Sequence, residues 1–136
     1  MAKKFVAVLN KSAETVRLMN AIGHISIGLA GRIGDPNALG LILYRDADGQ
    51  DFPDISAHPY ILLKTNDSKL KGFRQALIEA NIPYSCFTDT MIEGGAEEQV
   101  AKTALTKTDE LNILAVVAFG EREALDPLTR KFSLFT

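Results

Sequence analysis

Three polar side chains in an otherwise apolar stretch set the chemical question. Arg17, Asn20 and His24 recur at i, i+3 and i+7, and Gly28 follows at i+11. On a helix that spacing places all four along one side. A guanidinium, an amide and an imidazole projecting together from a rigid element suit an anionic or carbonyl group. Arg17 and Asn20 would hold it, and His24 would act as acid, base or orienter. The plainer alternative is a solvated helix edge. Further along, Asp89 and Thr90 close an apolar run that begins at Pro83. Ligands gather outside the carboxyl ends of parallel strands. Asp89 is therefore a candidate base or orienter and Thr90 a candidate substrate contact. The alternative for Asp89 is a turn cap.

Other groups carry less. Gly28, Gly31 and Gly34 form a glycine-rich stretch, but it follows a helical pattern, whereas a phosphate-binding turn needs a strand before it. Asp46, Asp48 and Asp51 surround Gly49, yet the glycine sits at the wrong offset for a calcium loop. No metal ligand set and no cofactor is expected. Cys86, the single cysteine, excludes an intrachain disulfide and reads as a buried, inert thiol. His58 precedes Pro59 in a loop and reads as solvated.

The elements that position these residues follow from periodicity. Phe5–Leu9 is a short apolar run of β-formers, which fits a strand covered on both faces. Ser12 can cap a helix over about 13–30, with Gly31 and Gly34 beyond it. That helix is apolar round most of its circumference, so it is expected to be mostly buried, with Ser26 bonded to its own preceding turn. Leu41–Tyr44 is a second apolar run, and Asp46–Gly49 a turn. Tyr60–Lys64 reads as a buried strand. Asn66, Asp67 and Ser68 offer caps for a helix to about Ala80, whose apolar face is Leu70, Phe73, Leu77 and Ala80. Pro83–Phe87 is a further strand. Glu97–Thr106 is a helix with Val100, Ala104 and Leu105 facing in. Ile113–Phe119 is the most apolar strand, and Gly120 stops it. Pro127 breaks any long helix near the end, and Leu128, Phe132, Leu134 and Phe135 form an apolar tail that must dock. Strands alternating with helices give an α/β fold. The expectation is one domain over 1–136: a mixed sheet of four or five strands with helices on both faces, Phe5–Leu9 and Ile113–Phe119 at its centre.

Composition narrows the partners. The 136 residues are 46% hydrophobic and 24% charged, ordinary for a globular chain. Fifteen Lys and Arg against seventeen Asp and Glu give a net charge of −2. A clamp on a nucleic-acid backbone normally shows a basic excess, so no nucleic-acid partner is expected. The basic start leads into an apolar run too short for a signal peptide, and no stretch reaches the roughly 18 apolar residues of a membrane span. A cytoplasmic location with no membrane partner is the expectation.

Several pieces then match a known pattern. They are Lys4 to Lys11, Leu18 to His24 with Gly28-Leu29, Tyr44 to Gly49, Phe87 to Met91, and Leu128 to Phe135. Together they resemble an uncharacterised bacterial family, a domain of unknown function assigned to the fold superfamily of the type-2 peptidyl-tRNA hydrolases. The resemblance covers nearly the whole chain. It implies a three-layer α/β/α fold of that type. Those hydrolases carry a Lys, a Gln four residues later, and then a Gly/Ser-His pair. Here Arg17 stands at the Lys position, Ala21 at the Gln position, and Gly23-His24 matches. Arg17 keeps the charge but cannot become a general base. The hydrolase Asp-Ala-Gly-x-Thr motif keeps only Asp89, followed here by Thr90-Met91-Ile92. The implied catalytic motif is incomplete.

Two functions follow as expectations. One is a hydrolase of a small ester or amide, using His24 and Asp89 with Arg17, Asn20 and Thr90 as contacts. The other is a non-catalytic module that binds a small molecule or protein in the same cleft. Peptidyl-tRNA hydrolysis ranks below both, because two motif positions are lost and Glu93, Glu97 and Glu98 follow the strand end. A titrating His24 beside Asp89 would mark the hydrolase; a pocket without a convergent acid and base would mark the binding module. The apolar Leu41–Leu43 segment and the tail suit a homodimer, which the fold relatives also suggest.

Overall fold

The computed structural model describes residues 2–136. Strand β1 (Lys3–Asn10) is followed by helix α1 (Thr15–Ile33) and a hairpin, β2 (Leu41–Arg45) and β3 (Asp51–Ser56). Then come β4 (Tyr60–Thr65), α2 (Asp67–Glu79), β5 (Tyr84–Thr88), α3 (Ala96–Ala104), β6 (Ile113–Glu121), α4 (Arg122–Thr129) and β7 (Ser133–Leu134). Five strands form one mixed sheet in the order β5-β6-β1-β4-β7. β1 runs parallel to β4 and antiparallel to β6. β5 lies antiparallel on β6 and forms one edge.

The two central strands are those with unbroken apolar runs. Val6, Ala7, Val8, Val116, Val117 and Ala118 are fully buried, because such runs can be covered on both faces. Alternate side chains feed two cores. Phe5, Ala7 and Leu9 pack with Leu18, Ala21, Ile25 and Leu29 of α1. Val6 and Val8 pack with Leu70, Phe73 and Leu77 of α2 and Leu125 of α4. The result is three layers, α1 on one face and α2 with α4 on the other. The tail docks as expected on both sides: Leu128 and Phe132 join the α2 core and Phe135 the α1 core. Leu134 alone stays 65% exposed. No helix among the described residues is long and apolar enough to cross a membrane.

The structure corrects several expectations. α1 begins at Thr15, and Ser12 does not cap it; the Ser12 N–H instead donates to Asn10 Oδ1 (2.9 Å). The helix runs one turn further, to Ile33, and Gly34 ends it in the left-handed region at φ 65°. It is not mostly buried. Only Leu18, Ala21, Ile25 and Leu29 are covered, while Val16, Met19 and Ile27 are 68–75% exposed, because the sheet lies against one side of α1 alone. Ser26 Oγ bonds the Tyr60 hydroxyl (2.7 Å), not its own preceding turn.

Leu41–Tyr44 joins no central sheet. It pairs with the unforeseen β3 in a separate hairpin, despite Pro53; Pro is tolerated where a strand has a free edge. β4 is buried on one face only: Leu63 is covered, whereas Tyr60 and Leu62 are 38% and 37% exposed on the α1 side. In α3, Val100 and Leu105 are 71% and 88% exposed rather than inward-facing, and no residue of that helix is buried. α3 packs chiefly on the short turn after β5, so its apolar side has no sheet to meet. β6 passes through Gly120 to Glu121, and α4 accommodates Pro127 within its eight residues. His58 is half-buried, its Nε2 3.0 Å from the Ala38 carbonyl and its ring 5.3 Å from Phe119.

Candidate functional site

The parallel strands β1, β4 and β5 end together at one end of the sheet, and their polar residues meet there. Asn10 Nδ2 donates to the Ile113 carbonyl (2.9 Å), and Asp67 Oδ1 accepts from the Ile113 N–H (2.7 Å). Asp89 Oδ2 accepts from the Asn112 amide (2.9 Å), and its Oδ1 from the Asn112 N–H (3.3 Å). The Asp89 N–H donates in turn to the Asn112 carbonyl. Both carboxylate oxygens of Asp89 thus fasten β5 to the start of β6. Thr90 is 5% exposed, with its hydroxyl 2.7 Å from those of Thr88 and Thr103. That chain of hydroxyls ties α3 to the strand end.

Arg17, Asn20 and His24 line cavities that no member of this cluster borders. They lie where α1 meets edge strand β5. One cavity of about 210 Å³ is bounded by Val16, Arg17, Asn20, Phe87 and Ile92. The next, about 360 Å³, shares Asn20, Phe87 and Ile92 with it and adds His24, Gly28, Ser85, Met91 and Gln99. The stripe therefore borders the α1–β5 seam. Phe87 comes to it from the strand end, but neither Asp89 nor Thr90 lines it. The His24 ring sits 6.4 Å from that of Phe87, and no carboxylate lines either cavity. At Gly28 the helix lies close to β5: a Cβ there would make an ordinary 3.6 Å contact with Ser85 Oγ.

The sequence reading missed part of the seam. A third cavity, about 610 Å³, is bounded by Arg32, Asn81, Ile82, Pro83, Tyr84 and Ser85. Arg32 extends the stripe by one more step of four beyond Gly28. Continuing the same spacing past Ala30 would have found it. Ser85 and Gln99 gave no sequence signal, since neither belongs to a spaced set.

Cys86 faces away, toward the α2 core. Burial pushes its thiol up to about 11, outweighing the nearby Arg74 charge, so it is protonated and unreactive at neutral pH. Among the described residues, no group of three His, Cys, Asp or Glu side chains could hold a metal ion. The seam brings together cations, amides, an imidazole and a hydroxyl, and no carboxylate lines it.

Comparison with known families places residues 3–136 in a family described as a protein of unknown function, DUF2000. The chain belongs to this family. A solved structure of a protein of unknown function from Agrobacterium tumefaciens strain C58 matches at a TM-score of 0.87 and 17% identity. The match covers 100% of this chain and 99% of that one. At that identity the likeness is one of fold. Comparison with curated proteins gives no match.

Proposed function

We propose that this DUF2000 protein is a non-catalytic binding module whose ligand lies in the α1–β5 seam. The observation that carries this reading is that the candidate acid, Asp89, does not line the seam bordered by His24. Asp89, the carboxylate at the strand end, spends both oxygens on Asn112, while His24 faces a seam with no carboxylate on its walls. General acid–base work needs the partners within hydrogen-bond reach. Holding an anionic or carbonyl group needs only Arg17, Asn20 and His24. Departure from the type-2 peptidyl-tRNA hydrolase motif at Ala21 and after Asp89 supports the same reading.

The test is titration of the labelled protein with N-acetyl amino acids, followed by NMR. Saturable shifts at Arg17, Asn20 and His24 are expected, with Arg17→Ala weakening affinity about tenfold and Asp89→Asn leaving it within about twofold. Loss of binding in Asp89→Asn with the fold intact would restore the acid–base pair and defeat the proposal.

A second copy of the chain is the partner we propose for the hairpin. β2 and β3 pack on no other element to any extent, and an isolated two-stranded hairpin is marginal in water. Leu41, Ile42, Leu43, Tyr44, Phe52 and Ile55 are each 39–56% exposed. Ile42 and Tyr44 pair with Ile55 and Phe52 on one side of the hairpin, and that side presents on the order of 400 Å². Two copies in twofold contact there would bury about 800 Å², the size of a weak interface.

A further inference from the structure

The three cavities are one trough. Asn20, Phe87 and Ile92 wall the first and second, and Ser85 walls the second and third. One side is α1, presenting Arg17, Asn20, His24, Gly28 and Arg32. The floor is β5, the edge strand of the sheet. The Phe119 N–H donates to the Pro83 carbonyl. By the alternation of an antiparallel ladder, residues 83, 85 and 87 point their backbone groups at β6, and Tyr84 and Cys86 point theirs outward. Those outward groups make no hydrogen bond among the described residues. Only the Thr88 N–H, at the upper end, is closed off, by the Met91 sulfur at 3.4 Å. An unpaired strand edge beside a helix is a template for an added strand.

Charge specifies what is added. Two arginines and a histidine line the trough and no Asp or Glu does, in a chain of net charge −2. Neither Arg17 nor Arg32 has an ion-pair partner among the described residues. They sit fifteen residues apart on α1, about 22 Å along the axis. An extended peptide covers that distance in about seven residues. Nucleic acid fits poorly. Two separated arginines do not track a phosphate backbone, and no open aromatic face is available for bases. Phe87 is 7% exposed, and the Tyr84 ring lies against Arg74.

We infer that the trough accepts an extended peptide with acidic residues near both ends, which pairs with β5 as an added strand. This rests on the seam being a binding site, and it names the class of ligand. Backbone bonds to Tyr84 and Cys86 would supply the register. Arg17 and Arg32 would select the acidic ends, and Ser85, Asn20 and Gln99 would meet side chains between them.

The probe is a pool of seven-residue peptides with glutamate at both ends and Val, Thr, Ser or Tyr between. The best binder is remade with N-methyl groups on alternate residues, in each of the two registers. Amide exchange at Tyr84 and Cys86 is expected to slow at least about tenfold on binding. N-methylation in one register is expected to weaken binding at least about tenfold, and in the other register little. Arg17→Glu with Arg32→Glu, both at exposed positions, is expected to lose the acidic peptide and gain its lysine-ended counterpart. No binding at millimolar peptide, or equal loss from both N-methyl registers, overturns the inference. If N-acetyl amino acids shift Arg17 and His24 while peptides leave the β5 amides untouched, the peptide fails and the binding module stands. If neither probe shifts the seam, both fail.

Discussion

An exposed carboxylate on a buried lysine and a half-buried thiol give the clearest residue-scale expectations. Lys4 is 7% exposed and its ammonium is held by Asp126. That hydrogen bond keeps the Asp126 carboxyl below its ordinary value. A depressed carboxyl stabilises the fold above its unfolded pKa of about 3.9 and loses that contribution as pH falls through its folded value. Asp126→Asn therefore lowers the thermal midpoint at pH 7 and flattens its fall below about pH 4, read by circular dichroism. Cys86 has the opposite sign. Its raised pKa leaves its contribution intact below about pH 8.5 and removes it as pH climbs toward about 11. At pH 8 a disulfide reagent is expected to modify Cys86 about a hundredfold more slowly than in denaturant; equal rates would contradict the burial. The Cys86 state was legible in the sequence because an apolar strand surrounds it. The partner of Asp89 was not. A strand-end carboxylate occupies the same sequence position whether it points at a ligand or at the neighbouring strand, and Asn112 lies far along the chain.

At the scale of elements, periodicity found every strand of the central sheet except the short β7, and all the helices but α4. It misjudged what α1, α3 and one side of β4 face. α1 reads as buried all round because Val16, Met19 and Ile27 are apolar; a single sequence cannot tell a second layer of the same chain from a partner. α3 misled for the same reason. The start of α2 was legible through Asn66, whose side chain accepts from the Lys69 N–H at 2.9 Å. Asn66→Ala is expected to cost about 1 kcal/mol in denaturant unfolding. Leu29→Ala, at the fully buried centre of the α1 core, is expected to cost about 2–5 kcal/mol. A loss under 1 kcal/mol there would mean that α1 is not seated as described.

For the whole molecule, we propose that the α1–β5 seam holds a ligand and does not cleave it. Assembly is a separate matter. Ile42→Glu with Phe52→Glu should convert a sedimenting dimer to monomer without shifting the unfolding of the central sheet. A monomeric wild type at about 100 μM would remove the proposed partner of the hairpin. The seam is tested most directly by offering it a bond to break. N-acetyl amino-acid nitrophenyl esters combine the carbonyl and carboxamide groups that Arg17, Asn20 and His24 suit with a leaving group that reports each turnover. The account predicts saturable protection of the seam with release no faster than in the His24→Ala variant. Release that saturates with ester and is lost in both His24→Ala and Asp89→Asn would contradict it, because it would show His24 and Asp89 working together although Asp89 lines neither cavity beside His24.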